Sequence, residues 1–345
     1  MKKTKRYIQK LGVPRLIMLA FLMILLIAVG ILHIPFTLTL SQCIVRVGIN
    51  IVLALAMLPS IRSGIGMNFG LPLGIICGLL AGMISLEYNF TGLMGILMAM
   101  LISIIFSIIV GWLYGLLLNK VKGSEMMVGT YMGFSIVSLM CIAWMILPFH
   151  NTGIRWPMGN GLRMTITLEQ WYDRALNELW MFKIGEVEIP TGLILTCAVF
   201  CGVMWLFCRS RLGIRMLAAG SNPEFSKFSG IDANRQRIIG SILSTVLGGI
   251  GIIIYAQGFG FYQLYTAPLM MAFPAVAAVL IGGATASKIS VGNVVLGTLI
   301  FQSILSVAAP VASAIFPEGN LSEVFRTIIS NGIILYALSK IGREE

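Results

Sequence analysis

The side chains in this sequence that could do chemistry are few, and most carry no charge. Long apolar blocks dominate the chain, and no block interior holds an Asp, Glu, Lys or His. Glu87, Glu125 and Glu323 stand at block ends, and His33 and His150 border the segments between blocks. Proton relays across a membrane need ionisable groups within the spans, so a proton-driven carrier is disfavoured. The sequence has no GxxxxGK[ST] phosphate loop, no metal-ligand spacing and no Ser/His/Asp arrangement, so intrinsic catalysis and a metal site are not expected. Energy for any work must come from a partner. What remains are neutral hydrogen-bonding groups: Asn68, Gln257, Tyr262 and Gln302. Amides and a phenol can exchange water for the hydroxyls of a neutral polar solute at little net free energy, so these four are candidates to face a pathway. For Asn68 and Gln302 the alternative is a hydrogen bond between helices.

Composition sets the solvent in which these groups are held. Hydrophobic residues make up 58% and charged residues 11%, and mean hydropathy is +0.94, which marks an integral membrane protein. The net charge of +11 does not form one patch; it recurs in short gaps between apolar blocks, which argues against nucleic-acid binding. The basic start of the chain precedes an apolar block with no small-x-small cleavage site, so an uncleaved first span is expected. The blocks number ten, at about 14–32, 43–58, 71–86, 92–118, 125–147, 190–208, 238–257, 271–286, 289–309 and 323–339. An even count puts both termini on one side. With that side inside, eighteen of the 24 bases fall in inner gaps, and Arg46 lies near the outer end of the second span. This asymmetry makes both ends cytoplasmic. The expected fold is all-α and polytopic, a single transmembrane domain over 1–345.

Other positions describe how the helices pack and what they present. Gly70, Gly74, Gly78 and Gly82 recur every four residues, so a neighbouring helix can approach that face closely. All six cysteines lie within or beside apolar blocks, as small buried groups rather than a disulfide framework. The loop at 148–189 is the longest outer segment. Thr167 and Gln170 make a capping-box pattern ahead of an amphipathic helix expected over 167–180. Its Trp and Tyr residues could rest at the membrane interface, or the segment could receive an extracytoplasmic partner through Glu169 and Asp173.

The inner loop at 209–237 is the longest basic interruption. Asn222, Pro223 and Glu224 read as N-cap, first helical position and a first-turn acid; Gly230 supplies the stop. Phe225 and Phe228 share one face of the resulting two-turn helix, which is too short to stand alone and needs a surface to receive it. That surface could be its own protein, lipid headgroups or a partner.

The stretch AAGSNPEFSKFSGI at 218–231, with AVAAVLIGG at 275–283 and LGTLI at 296–300, resembles the permease subunits of bacterial ABC importers in the ribose and simple-sugar group, to which nucleoside and branched-chain amino-acid permeases are related. The resemblance in span order covers nearly the whole chain. It implies that the helix at 222–229, with Gly220 and Gly230 at its margins, is a coupling helix entering a groove of a cytoplasmic ATPase, which uses ATP and Mg. It further implies a second permease protomer, an extracytoplasmic solute-binding protein and a bacterial inner-membrane location. The chain departs from sugar permeases at 64–70, at Ala272 and Pro274 where Glu and Asp are usual, and at ATASKIS after Gly283. These departures weaken a sugar assignment more than they weaken the class.

Spans two to five begin outside and spans seven to ten begin inside, as in an inverted repeat, and the first connection of each set is glycine-interrupted, at 63–72 and 257–268. Paired interruptions point to a translocation site, although ordinary loop glycines would give the same pattern. The expected function is import of a neutral polar solute, a sugar first, with a nucleoside or branched-chain amino acid as variants. A sodium-driven carrier and a non-transporting scaffold are the alternatives of other classes.

Overall fold

The computed structural model describes residues 13–157, 159, 161–185, 187–285, 289–315 and 319–339. The bases at 2–10, Lys288, Lys340 and Arg343, the acid Glu186 and both chain ends lie outside the described residues. In chain order the elements are α1 (Val13–Ile31), α2 (Phe36–Leu55), α3 (Met57–Arg62), α4 (Leu71–Glu87), α5 (Gly92–Lys120), α6 (Glu125–Ile146), β1 (Thr165–Thr167), α7 (Ala175–Glu178), β2 (Phe182–Ile184) and β3 (Val187–Ile189). They continue with α8 (Thr191–Arg209), α9 (Arg211–Ser221), α10 (Pro223–Phe228), α11 (Ala233–Phe259), β4 (Phe261–Gln263), α12 (Ala267–Met270), α13 (Ala272–Ile281), α14 (Val291–Ile315) and α15 (Gly319–Ser339).

Among the described residues, six helices are long and apolar enough to cross a membrane: Phe36–Arg62, Gly92–Lys120, Glu125–Ile146, Thr191–Arg209, Ala233–Phe259 and Val291–Ile315. The other expected blocks correspond to shorter apolar helices at Arg15–Ile31, Leu71–Glu87, Ala267–Ile281 and Thr327–Ser339. Burial sorts the six long ones. The most apolar windows of Phe36–Arg62 and Ala233–Phe259 are 72% and 67% buried, whereas those of α5 and α6 are 28% and 17%. The first pair therefore forms the core and the second pair the rim. On α5, Leu97, Leu101, Ile105 and Ile109 are all exposed at one-turn intervals, a stripe suited to acyl chains rather than water.

The core is set by how closely α4 and α11 approach. A Cβ on Gly74 would lie 2.4 Å from the Thr245 carbonyl oxygen, and one on Gly78 would lie 2.3 Å from that of Gly249. The two backbones touch, as the four-residue glycine spacing predicts, because lipid tails give no hydrophobic drive and only close packing holds membrane helices together. α5 closes the third side of this bundle through Gly111, which meets the Cα of Ile242.

One ion pair ties the bundle at the end that carries α9 and α10. Arg237, in the second turn of α11, is 2.6 Å from Glu125 at the start of α6; both side chains are nearly buried. Its guanidinium also donates to Asn119 Oδ1 and to the carbonyls of Leu118 and Gly64. The turn at Gly64, the end of α5, the start of α6 and α11 thus meet at one side chain, and the fork geometry of Arg is what allows it.

At the opposite end the chain is less helical than the sequence predicts. The amphipathic helix expected over 167–180 is absent. Thr165–Thr167 instead pairs antiparallel with Phe261–Gln263, with Ile166 opposite Tyr262. The chain then turns around the Leu168 carbonyl, which accepts from Trp171, Tyr172 and Asp173. Arg174 takes a left-handed conformation at φ 47°, so helix is confined to α7. Trp171 and Tyr172 are buried rather than interfacial, while Trp156 and Trp180 are exposed. β2 and β3 form a second two-stranded sheet.

Two outcomes follow from this packing. Gly78→Val is expected to push α4 from α11 and lower the thermal stability of the detergent-solubilised protein by on the order of 1–3 kcal/mol or more. Gly202→Val, on α8 with nothing within 4 Å, should be near neutral in the same fluorescence-detected melting assay; equal melting of the two variants would contradict the contact. Arg237→Met leaves Glu125 without its counter-charge and should cost about 3–5 kcal/mol. The double variant with Glu125→Leu should recover part of the loss.

Candidate functional site

The loop between α8 and α11 is built as its residue types predict. Ser210 caps α9 by accepting from the Gly213 N–H. Asn222 caps α10 by accepting from the Phe225 N–H at 3.0 Å, Pro223 occupies the first turn, and Glu224 lies at the positive end of the helix. Gly230 ends the segment at φ 73°, a left-handed conformation that favours glycine. Two backbone bonds, from Gly230 to the Lys227 carbonyl and from Ile231 to the Ser226 carbonyl, close the turn.

The orientation of this short helix is informative. Ser226 is buried, whereas Phe225 is 67% and Phe228 90% exposed. Two aromatic rings thus stand away from the protein on an otherwise polar segment. The preceding helix, α9, is held by backbone contact: a Cβ at Gly220 would sit 2.3 Å from the Arg62 carbonyl oxygen and 2.7 Å from the Gly64 nitrogen. The end of α9 therefore rests directly on the turn at 62–64, which opens the irregular segment between α3 and α4. Arg62 ties the same turn to the end of α8 by donating to the Cys208 carbonyl.

Asn68 sits in that irregular segment and is fully engaged. Its amide donates to Ser244 Oγ at 2.7 Å, and its Oδ1 accepts from the Gly70 N–H at 2.9 Å and the Tyr114 hydroxyl at 3.1 Å. Gln257 is equally occupied: its Oε1 accepts from the Leu176 N–H, and its Nε2 donates to Asn177 Oδ1 and the Ile254 carbonyl. Tyr262 is buried under the 165–178 segment with its hydroxyl 3.1 Å from that of Tyr172. Burial pushes both phenols above their ordinary pKa, so the pair is neutral and shares one hydrogen bond. These three side chains join elements to one another. Gln302 differs: it lines a small cavity with Asn50 and Thr298, beside Pro274.

Glu169 is exposed at the far end, whereas Asp173 is half-buried with Oδ1 turned in against Gly260. Only Glu169 of the two is free to meet a partner. Among the described residues no group of three or more His, Cys, Asp or Glu could hold a metal. Two positioning residues have no signature in the sequence. Glu125 and Arg237 are separated by more than a hundred positions, and each reads locally as an ordinary charge at a helix end. The apolar run begins at 43, which puts Arg46 near the end of its span, but α2 starts at Phe36 and brings Arg46 into its third turn.

Comparison with known proteins agrees with this architecture. The family model for the branched-chain amino acid transport system / permease component matches residues 18–338. The nucleoside ABC transporter permease protein NupB of Lactococcus lactis subsp. cremoris (strain MG1363) is 23% identical over 236 residues, which cover 63% of this chain and 62% of NupB. NupC of the same strain, also a nucleoside ABC transporter permease protein, is 33% identical over 72 residues, 21% of this chain and 22% of NupC. The chain thus aligns with less than two thirds of the length of either relative. The family match, however, runs from α1 to α15 and takes in the α9–α10 loop, the glycine-packed core and the cavity at Gln302: the chain belongs to the branched-chain amino acid transport system / permease component family.

Proposed function

We propose that this chain is the membrane permease subunit of an ATP-driven ABC importer, forming the path of a neutral polar solute and carrying no catalysis of its own. The observation that carries this reading is α10: a capped, two-turn helix that leaves Phe225 and Phe228 in the open while the end of α9 that leads into it is packed on Gly64. Buried aromatic anchors dominate interface energy, so such a helix is suited to fill a groove on a cytoplasmic ATPase subunit, where ATP and Mg are used. The family match and the two nucleoside permeases support the class. They also move a nucleoside ahead of a sugar as the solute, with a branched-chain amino acid third.

In this reading the apolar helices make ten spans in one domain of a bacterial inner-membrane protein. Both termini face the cytoplasm, 209–237 forms the coupling loop and 148–189 the extracytoplasmic loop. Spans two to five and seven to ten are inverted copies. A second permease protomer, the same or a paralogue, two ATPase subunits and a solute-binding protein complete the transporter. The absence of Asp, Glu, Lys and His from the block interiors suits an uncharged solute.

In the assembled transporter, the Phe225→Ala/Phe228→Ala double variant should insert and fold normally yet lose at least about tenfold in uptake, because two interface anchors are removed. Co-purification of the ATPase and uptake by proteoliposomes measure this; wild-type values for both would refute the docking role. Glu169→Lys should weaken binding-protein docking, with a difference that shrinks as salt screens it. Docking measured at low and high ionic strength that is indifferent to the change would move the contact away from Glu169.

A further inference from the structure

Asn68, Gln257 and Tyr262 spend their polar atoms on their own protein, so a path for solute has to be sought elsewhere. α2 carries it. Gln42, Arg46 and Asn50 are four residues apart and therefore lie one above another on a single face. Gln42 is exposed, and Arg46 and Asn50 are half-buried. Arg46 lies ten residues beyond the start of α2, about 15 Å along it at 1.5 Å per residue. An arginine at such depth in an apolar helix is expensive to keep and marks a solvated or functional face.

Each end of the stripe opens on a cavity. The upper one, about 400 Å³, lies between α2, the 174–190 segment and the end of α11, and its wall includes Gln42, Arg46, Arg174, Glu178, Glu188 and Phe259. This volume is in the usual range for small-molecule sites, about 300–1,000 Å³. Its wall carries two guanidiniums and two carboxylates, of which Glu188 is also paired with Lys183 at 2.6 Å, and Phe259 adds an aromatic side chain. The lower cavity, of about 10 Å³, is lined by Asn50, Thr298 and Gln302 and has room for about one water. Thr298 Oγ1 is buried there without a hydrogen-bond partner. Asn50, on the wall of the lower cavity, lies one helical turn from Arg46 on the wall of the upper, its amide donating to the Arg46 carbonyl.

We propose that the Gln42–Arg46–Asn50 stripe, with Thr298 and Gln302 below it, is the solute track of this chain: a receiving site for an uncharged ring compound bearing hydroxyl and carbonyl groups, above a polar constriction. The assignment rests on reading the chain as a permease and names the site that reading requires. A wall that carries both signs of charge offers an ion of either sign no single countercharge. The guanidinium and amides donate to carbonyl and hydroxyl oxygens, the carboxylates accept from hydroxyls, and the ring of Phe259 meets the ring of the solute. At the constriction Thr298 and Gln302 offer hydrogen bonds to a solute that has left its water behind.

The test uses the complete transporter in proteoliposomes, with tritiated uridine as the probe. Asn50→Ala and Gln302→Ala should each raise the KM for uridine about three- to tenfold, the loss of one hydrogen bond, with assembly and basal ATPase activity retained. Independently of any solute, Asn50→Cys should react with a charged thiol reagent added from outside at least about tenfold faster than Val52→Cys, since Val52 is fully buried; the unsubstituted chain corrects for native cysteines. Uridine should slow that labelling, and uridine monophosphate should compete less well than uridine. Fast labelling of Asn50→Cys by a transporter that ignores uridine would discard the nucleoside and keep the track. Uridine transport with Asn50→Cys as inert as Val52→Cys and an unmoved KM would overturn the track and keep the permease; no uridine transport together with an inert Asn50→Cys would overturn the nucleoside and the track. Stronger competition by the monophosphate would overturn the uncharged class of ligand.

Discussion

Backbone contact between α4 and α11 is the constraint on which the rest of this structure depends. In a lipid solvent the apolar side chains gain little by leaving their surroundings, so association has to come from fit. Gly74 and Gly78 supply it by letting the carbonyls of Thr245 and Gly249 sit where side chains would otherwise stand. Once these two helices are fixed, α5 can close on Gly111, and Asn68 reaches Ser244 across the seam. Asn68 then has its amide nitrogen and oxygen both engaged within the core, and the weakly buried faces of α5 and α6 are left for lipid.

Each end of the bundle solves a different problem. At the basic end, a side chain with five donors gathers the ends of α5 and α6, the start of α11 and the turn at Gly64, using charge where backbone ends would be left unpaired. At the opposite end a strand pair and a tyrosine pair lay the 165–178 segment over the mouth of the core. Neither end relies on metal or disulfide among the described residues; all six cysteines are free.

The helices were largely legible in the sequence because hydropathy reports directly on the solvent that each block meets. The α10 cap was legible for the same local reason, since Asn222, Pro223 and Gly230 act on their own neighbours. What failed was set at long range. The 167–180 segment has a helical pattern, but Ile166 finds a strand partner nearly a hundred residues away and Arg174 breaks the remainder. The start of α2 is not visible in hydropathy because Thr37, Thr39, Ser41 and Gln42 dilute it, and of these Ser41 and Gln42 line the larger cavity. The same dilution concealed how deep Arg46 lies. Asn68 and Gln257 illustrate the converse: an amide in a glycine-rich break looks alike whether it serves a solute or its own chain, and only the partner atoms distinguish the two.

The contact between Gly220 and the turn at 62–64 bears on how this molecule could be re-engineered. Loops that emerge from a membrane domain are commonly treated as exchangeable parts, to be grafted between relatives so that one transporter will work with the motor of another. Here the loop has no seam at which to cut. Its backbone lies on the backbone of a segment more than a hundred and fifty residues earlier, with no side chain between them to absorb a mismatch. A donor loop carrying even an alanine at 220 would displace the 62–64 turn, and with it the carbonyl of Gly64 that Arg237 holds. Compatible exchange therefore has to move 62–70 and 209–237 together, as one two-part unit.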